Sequence, residues 1–480
     1  MEPLQGIDAA FLALEGGTTR LHVAAVLVLD PPEGKRSLFS ASTRYAQVRR
    51  VVAERLHLVP PLRQRAVRVP LGLHHPVWVD DPEFELDDHI RRASLPSPGG
   101  GRELDDLVAD VMSRPLDFER PLWEMVVVEG LADGRMALIA KLHHAILDGV
   151  SGASLLAAFL DLGPRGRPVA APEEPWDPAP LPSQPSMVRY ALGSLIRQPE
   201  VAVDAISRTA GAMVDVAGHN RRLADLGAEP PPSLFRAPRT SLNGHISSRR
   251  RFATTSVPLD EVKLVRQVFG TTVNDVILAA VAGAVGELLA RRGERPEHPL
   301  VAMVPVSTRQ EAERADLGNR ISGMLVSLAT TVEDPVERLG AIAAGTAVAK
   351  SQERLAGGRL LEDLAQVASP ALASRAARWA AGLKLFDRIP PMFNVTVSSM
   401  PGPEMSLWCA GSRVEALHPV GPVADGVGLN VTVMSYRGSL CFGLLGCRRL
   451  VPDIGDLAIL LDRSLAELVA AARAALGATA

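Results

Sequence analysis

The run that follows Gly163, PRGRPVAAPEEPWDPAPLPSQP, is the feature that limits this chain most. Proline has no amide hydrogen and clashes with the preceding helical turn, so so dense a run enters neither a helix interior nor the centre of a sheet. At 480 residues, 47% of them hydrophobic, the chain also exceeds what one core normally holds. Two structured halves are therefore expected on either side of the proline run. Residues 1–163 form the first. Residues 164–240 form a connection with two amphipathic stretches near 187–196 and 201–223, closed by a second proline cluster at 230–232. Residues 241–480 form the second half.

Both halves mix strand and helix. LHVAAVLVLD (21–30), MVVVEGL (125–131) and RMALIAKL (135–142) read as strands in the first half. In the second, DEVKLVRQVFG ends on Gly270 and TTVNDVILAAVAGAVGELLARRG on Gly293, each a helix stopped by glycine. PLVAMVPVS, SGMLVSLAT, FNVTVSS, LNVTVMSY and SLCFGLL are strand-like, and 455–476 is a closing amphipathic helix. No Gly-rich βαβ fingerprint occurs, so the expected class is α/β of the α+β sandwich type and not a Rossmann fold.

Charge and composition exclude some functions. A net charge of -3 supplies no general basic face for nucleic acid. Cys409, Cys441 and Cys447 are odd in number and widely spaced, the pattern of buried reduced thiols and not of a disulfide framework or zinc knuckle. The first residues, MEPLQGIDAAFLALEGG, carry acids and no basic leader, so a cytoplasmic location is expected. The apolar run 276–286 is too short to span a bilayer, although peripheral attachment needs only an apolar face and flanking cations.

The chemistry concentrates in KLHHAILDG, 141–149. If the strand RMALIAKL persists, Lys141 and His143 share one face while Leu142 and His144 share the other, so the two histidines do different work. Asp148 can brace the loop or receive a cation, and Gly149 allows a tight turn before a helix. Three readings stay open: a metal site, which lacks a third ligand at familiar spacing; a structural His pair; and a general base, for which imidazole is suited near neutral pH.

HHAILDG matches the HHxxxDG motif of the acyltransferase superfamily that includes peptide synthetase condensation domains. In company with IDAAFLALE, PLWEMVVVEGL (121–131), TVNDVILA (272–279), MVPVSTR (303–309), GNRISGMLVSL (318–328) and NVTVSSMPGP (394–403), the chain resembles the bacterial bifunctional wax ester synthase/acyl-CoA:diacylglycerol acyltransferase family. The resemblance spans nearly the whole chain. It implies two chloramphenicol-acetyltransferase-like domains with a channel between them, and transfer of an acyl group from acyl-CoA to diacylglycerol or a long-chain alcohol.

Carried onto this sequence, the resemblance makes His144 the general base, with His143, Asp148 and Gly149 shaping its loop. Asp148 then needs a cationic partner, for which Arg309 and Arg320 are candidates. Asn274 is the candidate donor to the tetrahedral oxyanion, or else a helix cap with Asp275 in the first turn. Pro121, Leu122, Trp123 and Asp275 are candidates to line the substrate channel, with plain core packing the alternative for the triplet, and Arg249, Arg250 and Arg251 are candidates to meet the phosphates of coenzyme A, with a solvated surface the alternative. No metal and no cofactor beyond the acyl-CoA substrate is expected. The stretch from Gly357, with Arg375, Arg378, Trp379 and Lys384, is a candidate contact with a membrane or lipid-droplet surface. A carrier-protein thioester as donor, and a noncatalytic lipid-binding or lipid-droplet protein, are the competing functions.

Overall fold

The computed structural model describes residues 2–4, 6–31, 41–70, 73–146, 149–195, 218, 221, 230–233, 235–307, 321–355, 379 and 383–479. In the first half these are β1 (Glu2–Pro3), α1 (Gly6–Leu14), β2 (His22–Leu29), α2 (Ala41–Arg55), β3 (Gln64–Val67), β4 (Val77–Asp80) and β5 (Ile90–Ser94). They continue with α3 (Gly101–Ser113), β6 (Trp123–Glu129), β7 (Met136–His143) and α4 (Gly149–Phe159), and α5 (Gln184–Leu195) follows the proline run. The second half contains β8 (Arg250–Pro258), α6 (Leu259–Phe269), α7 (Val273–Arg291), β9 (Val301–Ser307), β10 (Ile321–Ser327) and α8 (Pro335–Leu355). It ends with β11 (Val395–Met400), β12 (Trp408–Cys409), β13 (Ser412–Val420), β14 (Leu429–Tyr436), β15 (Ser439–Cys447) and α9 (Ile454–Thr479).

Two six-stranded sheets carry the described fold, in the orders β12-β13-β2-β7-β6-β5 and β10-β9-β11-β14-β15-β8. In the first, alternation sorts the side chains: Ala24, Val26, Ala137, Ile139 and Val128 pack with Leu104, Val108 and Met112 of α3. On the opposite face Leu27, Leu29, Met136, Leu138 and Val127 pack with Leu12 of α1, Val48 and Val52 of α2 and Phe159 of α4. In the second sheet β11 runs parallel to both β9 and β14. Its core is built on α7 and α9, where Val276, Leu278, Val285, Leu457, Leu461 and Leu468 are buried together. By length and composition α7 is apolar enough to cross a bilayer, but most of it is buried inside the protein. Its hydrophobicity serves this core.

The halves exchange structure. β13 belongs to the second half in sequence, yet pairs antiparallel with β2 of the first, from Val414↔Leu29 to Val420↔Ala24. Where β13 passes β15, Gly443 lies so close that a Cβ there would stand 1.8 Å from the carbonyl oxygen of Pro419. A second seam joins α3 to β8: Arg251 pairs with Asp106 at 3.0 Å, and the Thr254 hydroxyl donates to Asp105 at 3.4 Å. The proline run is tied down as well. Asp161, just before it, accepts from Arg55 at 2.8 Å and from the Arg167 amide at 2.9 Å, while Trp176 meets Phe84 edge-on and lies under Arg63. All three cysteines are buried free thiols.

Candidate active site

β2 and β7 pair so that His22 stands directly opposite His143 at the end of the ladder. His143 is fully buried. The Ala145 amide donates to its Nδ1 at 3.0 Å, and since an amide can only donate, Nδ1 carries no proton. The ring hydrogen is therefore on Nε2, which lies 2.6 Å from Glu15 Oε2. The other carboxylate oxygen of Glu15 lies 3.1 Å from His22 Nε2, and the Leu21 amide donates to Oε2 at 3.3 Å. Burial by itself would raise the Glu15 carboxyl, but the hydrogen bonds from His143 and His22 outweigh it and hold the group well below the usual carboxylate range. Burial pushes His22 down to about 4 despite the opposing pull of Glu15, so that ring is neutral near pH 7.

Lys141 and His143 do share a face of the sheet, as alternation requires. Lys141 is completely buried and donates to Val111 O at 2.9 Å, Arg114 O at 2.7 Å and Glu124 Oε1 at 2.9 Å. It thereby closes the C-terminal end of α3. The expectation for His144 needs a different reason, because β7 stops at His143 and His144 begins a turn. Ile146 N donates to His143 O at 3.0 Å to close that turn, and His144 N donates to Leu21 O at 2.8 Å. The half-buried His144 ring lies 4.4 Å from the ring of Phe11 on α1, tilted by 37°. Its neighbours Ala145 and Ile146 belong to the core under that face. Gly149 begins α4, whereas Asp148 and its candidate partners Arg309 and Arg320 lie outside the described residues.

Asn274 occupies the second position of α7 and is not the cap. Thr272 caps that helix in a reciprocal box with Asp275: Thr272 N and Oγ1 both donate to Asp275 Oδ2, and Asp275 N donates back to Thr272 Oγ1 at 3.2 Å. The second Asp275 oxygen accepts from Thr346 at 2.6 Å. Expected to line the substrate channel, Asp275 is instead buried and occupied in holding α7 to α8. Asn274 is half-buried, and its Oδ1 accepts from Ser399 Oγ at 2.8 Å, so Nδ2 is the donor end of its amide. Ser399 is the penultimate residue of β11, and Met400, which ends the strand, packs on the same core as Ala145 and Ile146.

The PLW triplet departs from the expectation of a channel wall. Pro121, Leu122 and Trp123 are all buried. Trp123 stacks on His89 at 4.6 Å and donates its indole N–H to Leu62 O at 2.8 Å, which places the ring in the first-half core. What the triplet offers the site is backbone: Leu122 O accepts from His143 N at 2.9 Å, and Trp123 pairs with Leu142. The arginine run also divides. Arg250, expected to meet coenzyme A phosphate, is instead buried and donates to the carbonyls of Ser247 and Thr18, while its own amide donates to Ser113 Oγ, so it clamps the two halves. Burial pushes its guanidinium down to about 10. Arg251 is committed to Asp106, and Arg249 is the exposed member of the three.

Among the described residues no three or more His, Cys, Asp or Glu side chains gather as a metal set. His143 Nδ1 accepts from the Ala145 amide and its Nε2 lies against Glu15 Oε2. Sequence reasoning missed Glu15 and His22. The signal available was a carboxylate ending an apolar block, IDAAFLALE, and a histidine opening an apolar strand, HVAAVLVL.

Residues 4–277 match the family model of the wax ester synthase/diacylglycerol acyltransferase catalytic domain, and residues 317–469 the model of the C-terminal domain of that family. A Mycobacterium tuberculosis protein described as a diacylglycerol O-acyltransferase is 38% identical over 479 residues, covering 99% of this chain and 98% of its own length. One from Mycobacterium bovis, described likewise, is 35% identical over 98% of this chain and 99% of its own. The structure of the wax ester synthase/diacylglycerol acyltransferase from Marinobacter aquaeolei VT8 superposes with a TM-score of 0.69 at 32% identity, covering 98% of this chain and 99% of that one. The first condensation domain of the CDA synthetase shares the fold, with a TM-score of 0.56 at 18% identity over 98% of this chain and 95% of that one. Matched by both family models and by relatives over nearly its whole length, the chain is an O-acyltransferase that belongs to the wax ester synthase/diacylglycerol acyltransferase family.

Proposed function

We propose that this protein moves a fatty acyl group from acyl-CoA to the hydroxyl of diacylglycerol or a long-chain alcohol, with His144 as general base. The observation that carries this reading is the division of labour in the motif: His143 is locked inside by Glu15 and Ala145, while its neighbour His144 lies half-buried in the turn beyond the strand. His144 accepts the proton as the hydroxyl oxygen attacks the thioester carbonyl. The tetrahedral oxyanion is met by Asn274 Nδ2. As the C–S bond breaks, His144 returns the proton to the leaving thiolate, giving ester and free coenzyme A. The thioester already supplies the activation, so the step requires no cofactor.

A water-insoluble acceptor has to be taken from a surface. Trp379 and Leu383 are 76% and 63% exposed with Lys384 beside them, which supports peripheral contact with a cytoplasmic membrane face or lipid inclusion; Arg375 and Arg378 of the same stretch lie outside the described residues.

The test is purified protein with palmitoyl-CoA and either hexadecanol or diacylglycerol, with coenzyme A release and lipid products followed together. Ester formation that His144→Ala lowers roughly 10²- to 10⁴-fold for both acceptors is the expected result. Coenzyme A without ester indicates a thioesterase, activity only with a carrier-bound acyl group indicates the carrier-dependent alternative, and neither product favours lipid binding alone. Turnover that a chelator abolishes and zinc restores would overturn the base mechanism.

A further inference from the structure

We infer that Glu15 is a positioning residue for acyl transfer, acting through His143 and braced on its other side by His22. One short stretch, 11–22, holds the histidine turn at several points. Phe11 lies against the His144 ring, Leu21 O accepts from His144 N, and Glu15 Oε2 faces His143 Nε2 at 2.6 Å while itself accepting from Leu21 N. The chain of contacts is closed. His22 Nε2 meets Glu15 Oε1, Glu15 Oε2 meets His143 Nε2, and His143 Nδ1 accepts from Ala145 N, the residue immediately after His144.

Lys141, on the same face of β7, is paired with Glu124, and the Phe118 ring stands edge-on to His143 at 6.0 Å. The contacts from His143 and His22 keep the buried Glu15 carboxylate anionic, so it holds the His143 proton on Nε2 and leaves Nδ1 to grip the turn. Losing that grip frees the turn carrying His144, and a displacement of about 1 Å in a reacting group costs on the order of 10²-fold in rate.

This inference rests on His144 being the base, and two substitutions separate position from charge. Glu15→Gln keeps the length and an acceptor for His143 but removes the charge. Glu15→Asp keeps the charge but withdraws the carboxylate from both rings by one methylene. Positioning predicts kcat within about 3-fold of wild type for Gln and roughly 10- to 100-fold lower for Asp, with KM for acyl-CoA and acceptor unchanged. In a His143→Ala background the Asp deficit should vanish, because its lever has gone.

A wild-type kcat for Glu15→Asp, a Gln variant as impaired as Asp, or losses that add fully to those of His143→Ala overturns the inference. A second readout needs no folded variant at position 15: histidine ¹⁵N spectra of the wild type, with His143 assigned by its absence in His143→Ala, should give a neutral ring protonated on Nε2. A proton on Nδ1, or a charged ring near pH 7, also overturns it. Wild-type protein that forms no ester refutes the proposed function instead, whereas active wild type with an equally active Glu15→Asp refutes only the role of Glu15.

Discussion

Replacing Lys141 by methionine keeps the length and apolar bulk of the side chain and deletes only its cation. Three acceptors lose their donor at once: Glu124 Oε1, Val111 O and Arg114 O. Removing one member of a buried ion pair costs about 3–5 kcal/mol, and each carbonyl left buried adds roughly 1–3 kcal/mol. The full sum is not reached, because Arg91 stands 3.7 Å from the other oxygen of Glu124 and water reaches the end of α3. About 4 kcal/mol is expected, read from urea midpoints followed by far-UV circular dichroism and tryptophan fluorescence.

The pH dependence supplies the check. In Lys141→Met the Glu124 carboxylate is left buried without its ammonium partner, a penalty that protonation of the carboxyl relieves as pH falls. The gap to wild type should therefore narrow from pH 8 to pH 5, and adding Glu124→Gln should recover roughly half of it. A loss under about 1 kcal/mol at pH 8, or a Glu124→Gln effect that is the same with and without Lys141, refutes the reasoning.

Trp123→Ala should lower stability by about 3–5 kcal/mol and depress transfer to alcohol and diacylglycerol alike, since the ring is core; a change of acceptor preference in a fully stable protein would return it to the channel wall. Gly443→Ala should cost about 3 kcal/mol or more, because the added carbon meets the Pro419 carbonyl on β13 and backbone cannot step aside cheaply; an unchanged melting temperature contradicts this. Burial raises the Asp105 carboxyl from its ordinary 3.8 to about 7. Its charged form is thus disfavoured in the fold, stability is lost as pH rises from about 3.8 through 7, and Asp105→Asn should stabilise by about 2 kcal/mol at pH 8 after allowance for partial exposure. No gain at pH 8 in urea midpoints would refute it. His22, pushed down from 6.5 to about 4, acts with the opposite sign over much of the same range. Between pH 6.5 and 4 the unfolded chain binds a proton that the fold refuses, so wild type should lose about 1.4 kcal/mol per pH unit on acidification relative to His22→Gln; parallel profiles would show that His22 titrates normally.

Local order was legible in the sequence because its causes are local. The period-two runs became β2, β7, β9, β14 and β15, and the glycines at 270 and 293 end their helices in the left-handed region that glycine favours. HHAILDG was legible for the same reason, since its residues are neighbours in the chain. What alternation could not supply was the fate of His144, because the strand's last residue is decided by its partner β2 and not by its own composition. The pairing of β13 with β2, the closure of Gly443 on Pro419 and the seam of Arg250 with Thr18 join segments far apart in sequence, and no short window contains both sides. Trp123 and Asp275 resembled binding residues as letters and became core and capping residues once packing gave their polar atoms partners. Glu15 is the sharpest case: a carboxylate ending one helix acquires its purpose only when the sheet brings His22 and His143 to either side of it, since a buried charge is tolerated where the tertiary fold supplies its hydrogen bonds.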